Sequence, residues 1–353
     1  MQKVVERDQD VVNEVERTKW KRTLLTLAKD WRLYVLLIPM VAFLICFKYL
    51  PIYGILTGFK WGKDSLNINN PNWNYNLEWC GYHWLDEIFS GSTATVFWRA
   101  FRNTFVNSMY GLIIGFPIPI LLALLFSEVK NQGYRSFLQV CSYLPHFVSL
   151  VVMTSIITLW CEGAVSGKNG GVLYQFAANM GLTKDDTGAV STLTLLAQPK
   201  FFRPIYQVSG IWEGAGYGSI VYFAAILAIS PTSYEAARID GASKLQQIRY
   251  ITFPGMAPTL SIMLITRIGH ILNVGYEKVV LLIGDKPSAW ETGDIISTLV
   301  YRMSGKDSNA EATGVKAVEQ IGIVADLFNA IIAMVLVLGA NAISRRVSST
   351  SLF

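Results

Sequence analysis

Six apolar runs organise this chain, at about residues 33–57, 100–126, 137–160, 205–229, 259–283 and 322–344. Each is long enough for a helix to cross a hydrocarbon core, which takes about 20 apolar residues. Lipid offers no hydrogen bonds, so each crossing must satisfy its own backbone, and a helix does so within one segment. The expectation is an all-α integral membrane protein with six transmembrane helices and both termini on one side. Composition agrees: 52% of the 353 residues are hydrophobic and 16% charged, against about a quarter charged in a soluble domain. Pro39 and Pro51 should bend the first span, Pro117 and Pro119 interrupt the second, and Pro145 lies inside the third.

The distribution of basic residues assigns the sides. Residues 1–32, 127–136 and 231–255 and the pair Arg345–Arg346 hold 15 Lys and Arg, while the opposite loops 58–99, 161–204 and 284–317 hold 11 over a greater length. Both termini and the 231–255 segment are therefore expected in the cytosol of a multi-pass plasma-membrane protein. The net charge of +5 reads as orientation, with no basic, aromatic-interleaved groove for nucleic acid. The organisation expected is a cytosolic tail at 1–32, a first span with its external loop at 33–99, a core of five spans at 100–346, and a cytosolic tail at 347–353. The tail before the first run is too long for a signal peptide, and that run exceeds the usual core of about 7–15 residues. Within the tail, Trp20, Leu24, Leu27 and Trp31 recur at helical spacing beside Lys19, Lys21, Arg22 and Lys29. That pattern suits a helix lying in the membrane interface, or else a solvated tail. Among the outer loops, Trp61, Trp73, Trp79 and Trp84 suit interfacial anchors or a ligand platform, and residues 171–180 read as a short amphipathic helix.

Catalytic and metal-binding patterns are missing. Gly163-Ala-Val-Ser-Gly-Lys-Asn169 has three residues between its glycines where a phosphate-cradling loop has four, and Asn169 replaces the Ser or Thr that would bind magnesium. His83, His146 and His270 are scattered, and Asp185, Asp186 and Asp240 form no paired-carboxylate site. Cys46, Cys80, Cys141 and Cys161 have no metal-ligand spacing. Cys80 and Cys161 would share the outer side, yet they read as unpaired apolar fillers rather than a disulfide. The chain is therefore expected not to be an enzyme and to bind no metal or cofactor itself.

Polar groups inside the spans carry more information, because a charge in hydrocarbon costs at least a few kcal/mol unless it faces a cavity or partner. The fifth span holds Arg267, His270, Asn273, Tyr276, Glu277 and Lys278. Arg267, His270, Asn273 and Glu277 recur at steps of three and four, which puts them on one helix face. Such a stripe can line an aqueous path, or serve interhelical hydrogen bonding and a Glu277/Lys278 pair at the outer boundary. On the fourth span, Trp212, Glu213 and Tyr217 stand among Gly210, Gly214, Gly216 and Gly218. Aromatic faces beside carboxylates suit a sugar, whose C–H face stacks while its hydroxyls find partners; interfacial anchoring and close helix packing are the other reading.

Residues 231–258 are a polar interruption between two apolar runs. Thr232 or Ser233 can cap a short helix that ends at Gly241, with Glu235 suited to its positive end. A second helix can start at Ser243, with Leu245, Ile248 and Ile251 on its apolar side and Pro254 closing it. Small residues at Ala236, Ala237, Gly241 and Ala242 leave the corner open to a closely packed partner.

This stretch, YEAARIDGASKLQQIRYITFPGMAP, resembles the cytosolic EAA loop of permease subunits in bacterial ABC importers. YLPIYG at 49–54, RNT at 102–104, SYLPHFVS at 142–149, the GVLYQF and MGL pieces near 171–182 and NVGYEKVVLL at 273–282 extend the resemblance. They point to the LplB-type polysaccharide and oligosaccharide permeases of carbohydrate importers, over residues 33 to 346. The resemblance implies a type I ABC importer permease fold in which Glu235, Ala236, Ala237, Asp240, Gly241 and Pro254 belong to a coupling helix seated on an ATPase subunit. It implies as partners a second homologous permease, two ATPase subunits holding ATP and Mg, and an extracellular solute-binding lipoprotein docked over loops 161–204 and 284–317. Trp212, Glu213, Tyr217, Arg267, His270, Asn273, Tyr276 and Glu277 are then the expected substrate path, surrounded by membrane lipid. An ion-coupled secondary sugar carrier would use Arg267 and Glu277 as relay groups but leaves the EAA loop unexplained; a membrane-bound glycan enzyme is the third reading. Arg267 suits an acidic glycan, and neutral oligosaccharides fit as well.

Overall fold

A computed structural model describes residues 29–61, 79–164, 169–183, 192–272, 274–304 and 318–347. The expected interfacial helix around Trp20, together with Trp73, Asp185, Asp186, Asn273 and residues 348–353, lies outside the described residues. The described residues are helical, with one isolated antiparallel bridge between Lys60 and Trp79. By its contacts the chain falls into two units, Met1–Thr57 with Asp64–Asn76, and Gly58–Lys63 with Leu77–Phe353.

Among the described residues, four helices are long and apolar enough to cross a membrane: Trp31–Phe59, Ala94–Glu128, Lys244–Gly269 and Glu319–Ala342. Two bent pairs raise the number to as many as six, Gln132–Phe147 with Leu150–Cys161 at 94°, and Pro199–Leu227 with Pro231–Ile239 at 69°. In chain order we label α1 Trp31–Phe59, α2 His83–Phe89, α3 Ala94–Ile113, α4 Pro117–Glu128, α5 Gln132–Tyr143, α6 Leu150–Cys161 and α7 Val172–Asn179. Next come α8 Pro199–Leu227, α9 Pro231–Ile239, α10 Lys244–Gly269, α11 Tyr276–Ile283, α12 Ile296–Met303 and α13 Glu319–Val347.

Proline chemistry explains where the apolar runs break. Ile114 and Gly115 both donate to the Tyr110 carbonyl, and Pro117 then opens α4 at a position where its missing N–H costs nothing. The third run is not one continuous span. Around Pro145 the chain passes through a 3-10 turn, Leu144–Phe147, and becomes extended at Val148 and Ser149 before α6 starts. At about 1.5 Å per residue the 12 residues of α6 reach about 18 Å, too short for a hydrocarbon core of about 30 Å.

The fifth run also differs from expectation. Its helix begins at Lys244 and ends at Gly269, a turn follows at 270–272, and α11 starts only at Tyr276. Pro254 does not close a helix: a π-helical turn at Ile248–Thr252 absorbs the register change, and Pro254 sits in the first turn of the segment that continues from Phe253. Residues 284–304 are more than a loop. A 3-10 turn at Pro287–Ala289, a short turn at Trp290–Gly293 and α12 pack into the molecule, while α7 occupies the place expected for a short helix in 161–204. Outside the spans, burial lowers the amine pKa of Lys286, with Asp285 acting in the opposite sense. Ser92, donating from its hydroxyl at 2.6 Å and its amide at 2.9 Å, holds the Glu87 carboxyl below its usual range.

Three apolar clusters fix the second unit. One joins Ile157, Tyr174, Leu196, Phe202, Leu282 and Ile295; a second joins Ile88, Phe97, Leu299, Met303 and Val324; a third joins Ile120, Leu124, Tyr222, Ile226 and Met256. Helix α8 spans two of them, with Phe202 at one end and Tyr222 and Ile226 at the other. Between them its glycines take over, since helices in lipid associate through small residues and polar links. At Gly216 the fit is tightest: a Cβ there would run into the Ser142 carbonyl of α5. All four cysteines are free thiols, Cys161 buried and Cys80 half-buried.

Candidate functional site

Two helices, α3 and α8, run side by side in the same direction and are joined at successive turns. Arg203 Nη2 donates to Asn103 Oδ1 at 2.6 Å, and one turn further on Gln207 Nε2 donates to the Asn107 carbonyl at 2.8 Å. Asn103 is fully buried and donates its amide to the Glu291 carbonyl at 2.9 Å. Thr104 accepts from the Ile296 amide at 2.9 Å, and Ser108 donates to the Ile271 carbonyl. The polar face of α3 thus ties together α8, the start of α12 and the turn after α10. Behind it, the buried Asp294 pairs with the buried Arg302 and, at 3.5 Å, with Arg99; Thr298 donates to it at 2.9 Å, and Arg302 lies 4.5 Å from the centre of the Trp290 ring.

Below these links a cavity of about 520 Å³ opens between α3, α4, α8, α10 and α11. Gly210, Gly214 and Gly218 repeat at steps of four along α8 and leave one side of it bare, while Asn107, Gln207, Thr266, Arg267, His270 and Lys278 supply polar groups. Lys278 Nζ is 2.9 Å from Glu213 Oε2 and 5.6 Å from the centre of the Tyr206 ring. That lysine is compensated. Arg267 instead donates only to the Gly111 carbonyl, at 3.3 Å, and has no carboxylate at ion-pair distance among the described residues. Asn107 is buried with neither side-chain polar atom partnered. The cavity therefore offers a cation and hydrogen-bonding groups to a hydroxylated or anionic guest.

The expected path residues separate. Arg267 and His270 line the cavity, whereas Glu213 is outside the lining and pairs with the lining Lys278. Trp212 is 47% exposed and outside the lining, and Tyr217 stacks on His146 with ring centres 4.0 Å apart, also outside it. Tyr276 stacks on Tyr301 at 5.3 Å, and Glu277 is exposed. Arg267 and Glu277 stand on different helices, α10 and α11, so one continuous helix face does not join them. Asn103, Asn107, Gln207 and the Lys278–Glu213 pair add to the expected residues; the four-residue step of Asn103 and Asn107 within an apolar run is the sequence signal for the first two.

A second surface surrounds α9. Gly241 adopts φ +74°, Ala242 N–H donates to the Ala237 carbonyl at 2.8 Å and Gly241 N–H to the Arg238 carbonyl at 3.1 Å, which is the Schellman closure that glycine permits. Ser243 and Gln246 then cap α10 reciprocally. The start of α9 differs from expectation: Ser230 holds the N-cap position, and Thr232 lies inside the helix. Glu235, Ala236 and Asp240 are exposed and Ala237 half-buried. Beside them Ile239 is 87% and Leu245 75% exposed, so Leu245 faces outward and Ile248 inward. A cavity of about 290 Å³, lined by Glu235, Tyr234 and Glu128 among others, lies against this corner. Lys244 pairs with Glu128 across it at 2.7 Å, and the Tyr234 and Thr252 hydroxyls are 3.0 Å apart.

Residues 115–349 match the family described as binding-protein-dependent transport system inner membrane component. Protein LplB of Bacillus subtilis (strain 168) is 31% identical over 350 residues, covering 98% of each chain. The polygalacturonan/rhamnogalacturonan transport system permease protein YteP of the same organism is 31% identical over 341 residues, 96% of this chain and 95% of that one. Among solved structures, a chain of a bacterial alginate ABC transporter in complex with an alginate pentasaccharide-bound periplasmic protein superposes with a TM-score of 0.75 at 36% identity. The match covers 92% of this chain and 98% of that one.

Proposed function

The chain belongs to the inner-membrane components of binding-protein-dependent transport systems, and we propose that it is the permease subunit of an ATP-driven importer whose cargo is an acidic oligosaccharide. Its partners in this reading are a second, homologous permease, two ATPase subunits that hold ATP and Mg, and an extracellular solute-binding protein. The excess of basic residues in the tails and in 231–255 supports cytosolic termini, with α9 facing the ATPase. Closure of the ATPases would move α9 and the α8 and α10 attached to it, switching access to the cavity from one side to the other. Residues 33–99 would then add a first span to a permease core at 100–346.

Arg267 carries the choice of an acidic cargo. Among the described residues it has no carboxylate at ion-pair distance, and a bound uronate carboxylate would supply the missing charge. The permease YteP is named for polygalacturonan and rhamnogalacturonan, and the structural relative for alginate, all carboxylate-bearing polymers. The test is uptake of uronic-acid oligosaccharides and their carboxyl-reduced counterparts by the complete complex in proteoliposomes. The wild type is expected to take up the acidic form preferentially, and Arg267→Gln to reduce that preference by about tenfold, the size of one charge-assisted contact. Equal uptake of both forms by the wild type would contradict an acidic cargo.

A further inference from the structure

The polar links above the cavity hold a second arginine in an unusual state. Arg203 is half-buried one helical turn before Gln207, on the side of the cavity remote from α9, and it donates to the Asn103 side-chain oxygen at 2.6 Å. Its Nε is buried with no acceptor. Asn103 is held in turn by the Glu291 carbonyl, so the guanidinium is fixed in place by a neutral amide. Arg102, exposed on α3, immediately precedes the Asn103 whose side chain holds Arg203. Neither arginine has a carboxylate at ion-pair distance among the described residues, whereas neighbouring Arg99 and Arg302 share Asp294. A guanidinium held by one neutral ligand keeps both its charge and an empty donor for an anion.

We infer that Arg203 and Arg102 form a carboxylate-binding station at the head of the cavity, which receives an acidic sugar unit before the next unit reaches Arg267. Asn103 is its positioning residue, because it fixes the guanidinium plane without neutralising it. The inference rests on the acidic-cargo reading. Guanidinium, with its planar fork of donors, is suited to carboxylate, and replacing it by an ammonium keeps charge while losing the fork.

The test uses the complete complex, with partner permease, ATPases and binding protein, in proteoliposomes. The probes are uronic-acid tri- to pentasaccharides and the same oligomers after carboxyl reduction, and the readout is the ratio of their uptake rates. Arg203→Gln and Arg102→Gln are each expected to lower that ratio by about tenfold, with Arg203→Lys recovering part of it. Arg102 is exposed, so its variant reports even where Arg203→Gln fails to assemble. An unchanged ratio, with both uptakes lowered in parallel, would mean that the arginines serve only structure and would overturn the station. Loss of binding-protein association in a co-sedimentation assay at an unchanged ratio would assign them to docking and overturn it equally. A wild-type ratio near one would remove the acidic cargo itself, an outcome separable from the variant results.

Discussion

At the scale of single residues, close packing and charge placement make separate demands on α8. Gly216 meets the Ser142 carbonyl, whereas Gly214, two positions earlier and lining the cavity, has open space where a Cβ would stand. Gly216→Ala should therefore destabilise the protein by about 1–3 kcal/mol through overpacking. Gly214→Ala should be neutral or stabilising by up to about 1 kcal/mol, as expected for removing a glycine from a helix interior. Thermal unfolding of the two purified variants in the same detergent checks this, and equal shifts would mean that α8 and α5 do not meet as described. Similar particularity explains what was legible in the sequence. Arg267 and His270 could be found because a polar group in an apolar run is costly, but the role of Lys278 depended on Glu213, 65 positions away, and no local spacing reports such a pair.

At the scale of elements, the corner at α9 was read closely because its chemistry is local. Gly241, the capping Ser243 and the surrounding polar residues fix a helix, turn and helix without tertiary help. The third and fifth runs depart from continuous helices for the opposite reason. Hydropathy continues smoothly through Val148–Ser149 and through 270–275, and the breaks come from backbone geometry and from packing of α11 and α12 into the apolar clusters. Pro254 shows the same limit, since a π-helical turn reconciles it with an uninterrupted helix. If α9 is the lever that transmits ATPase closure, the bulky Gly241→Trp should distort the positive-φ turn and leave membrane insertion intact. It should lower ATP-driven uptake by tenfold or more, and Glu235→Ala should weaken co-purification of the ATPase. Wild-type transport and association in both variants would remove the coupling role from this corner.

For the whole molecule, the second unit places a polar cavity between apolar clusters, with exposed Ile239 and Leu245 at one end and a group of arginines at the other. That polarity suits a subunit that exchanges cargo with one protein and mechanical work with another. The central claim is that transport through this chain is driven by ATP hydrolysis in partner subunits. It is tested most directly by measuring uronic-acid oligosaccharide uptake into proteoliposomes holding the complete complex, with ATP enclosed and binding protein outside. Uptake is expected to require both ATP and binding protein, to stop with vanadate and to persist when proton and sodium gradients are collapsed. Uptake that proceeds without ATP and follows an imposed ion gradient would contradict the account.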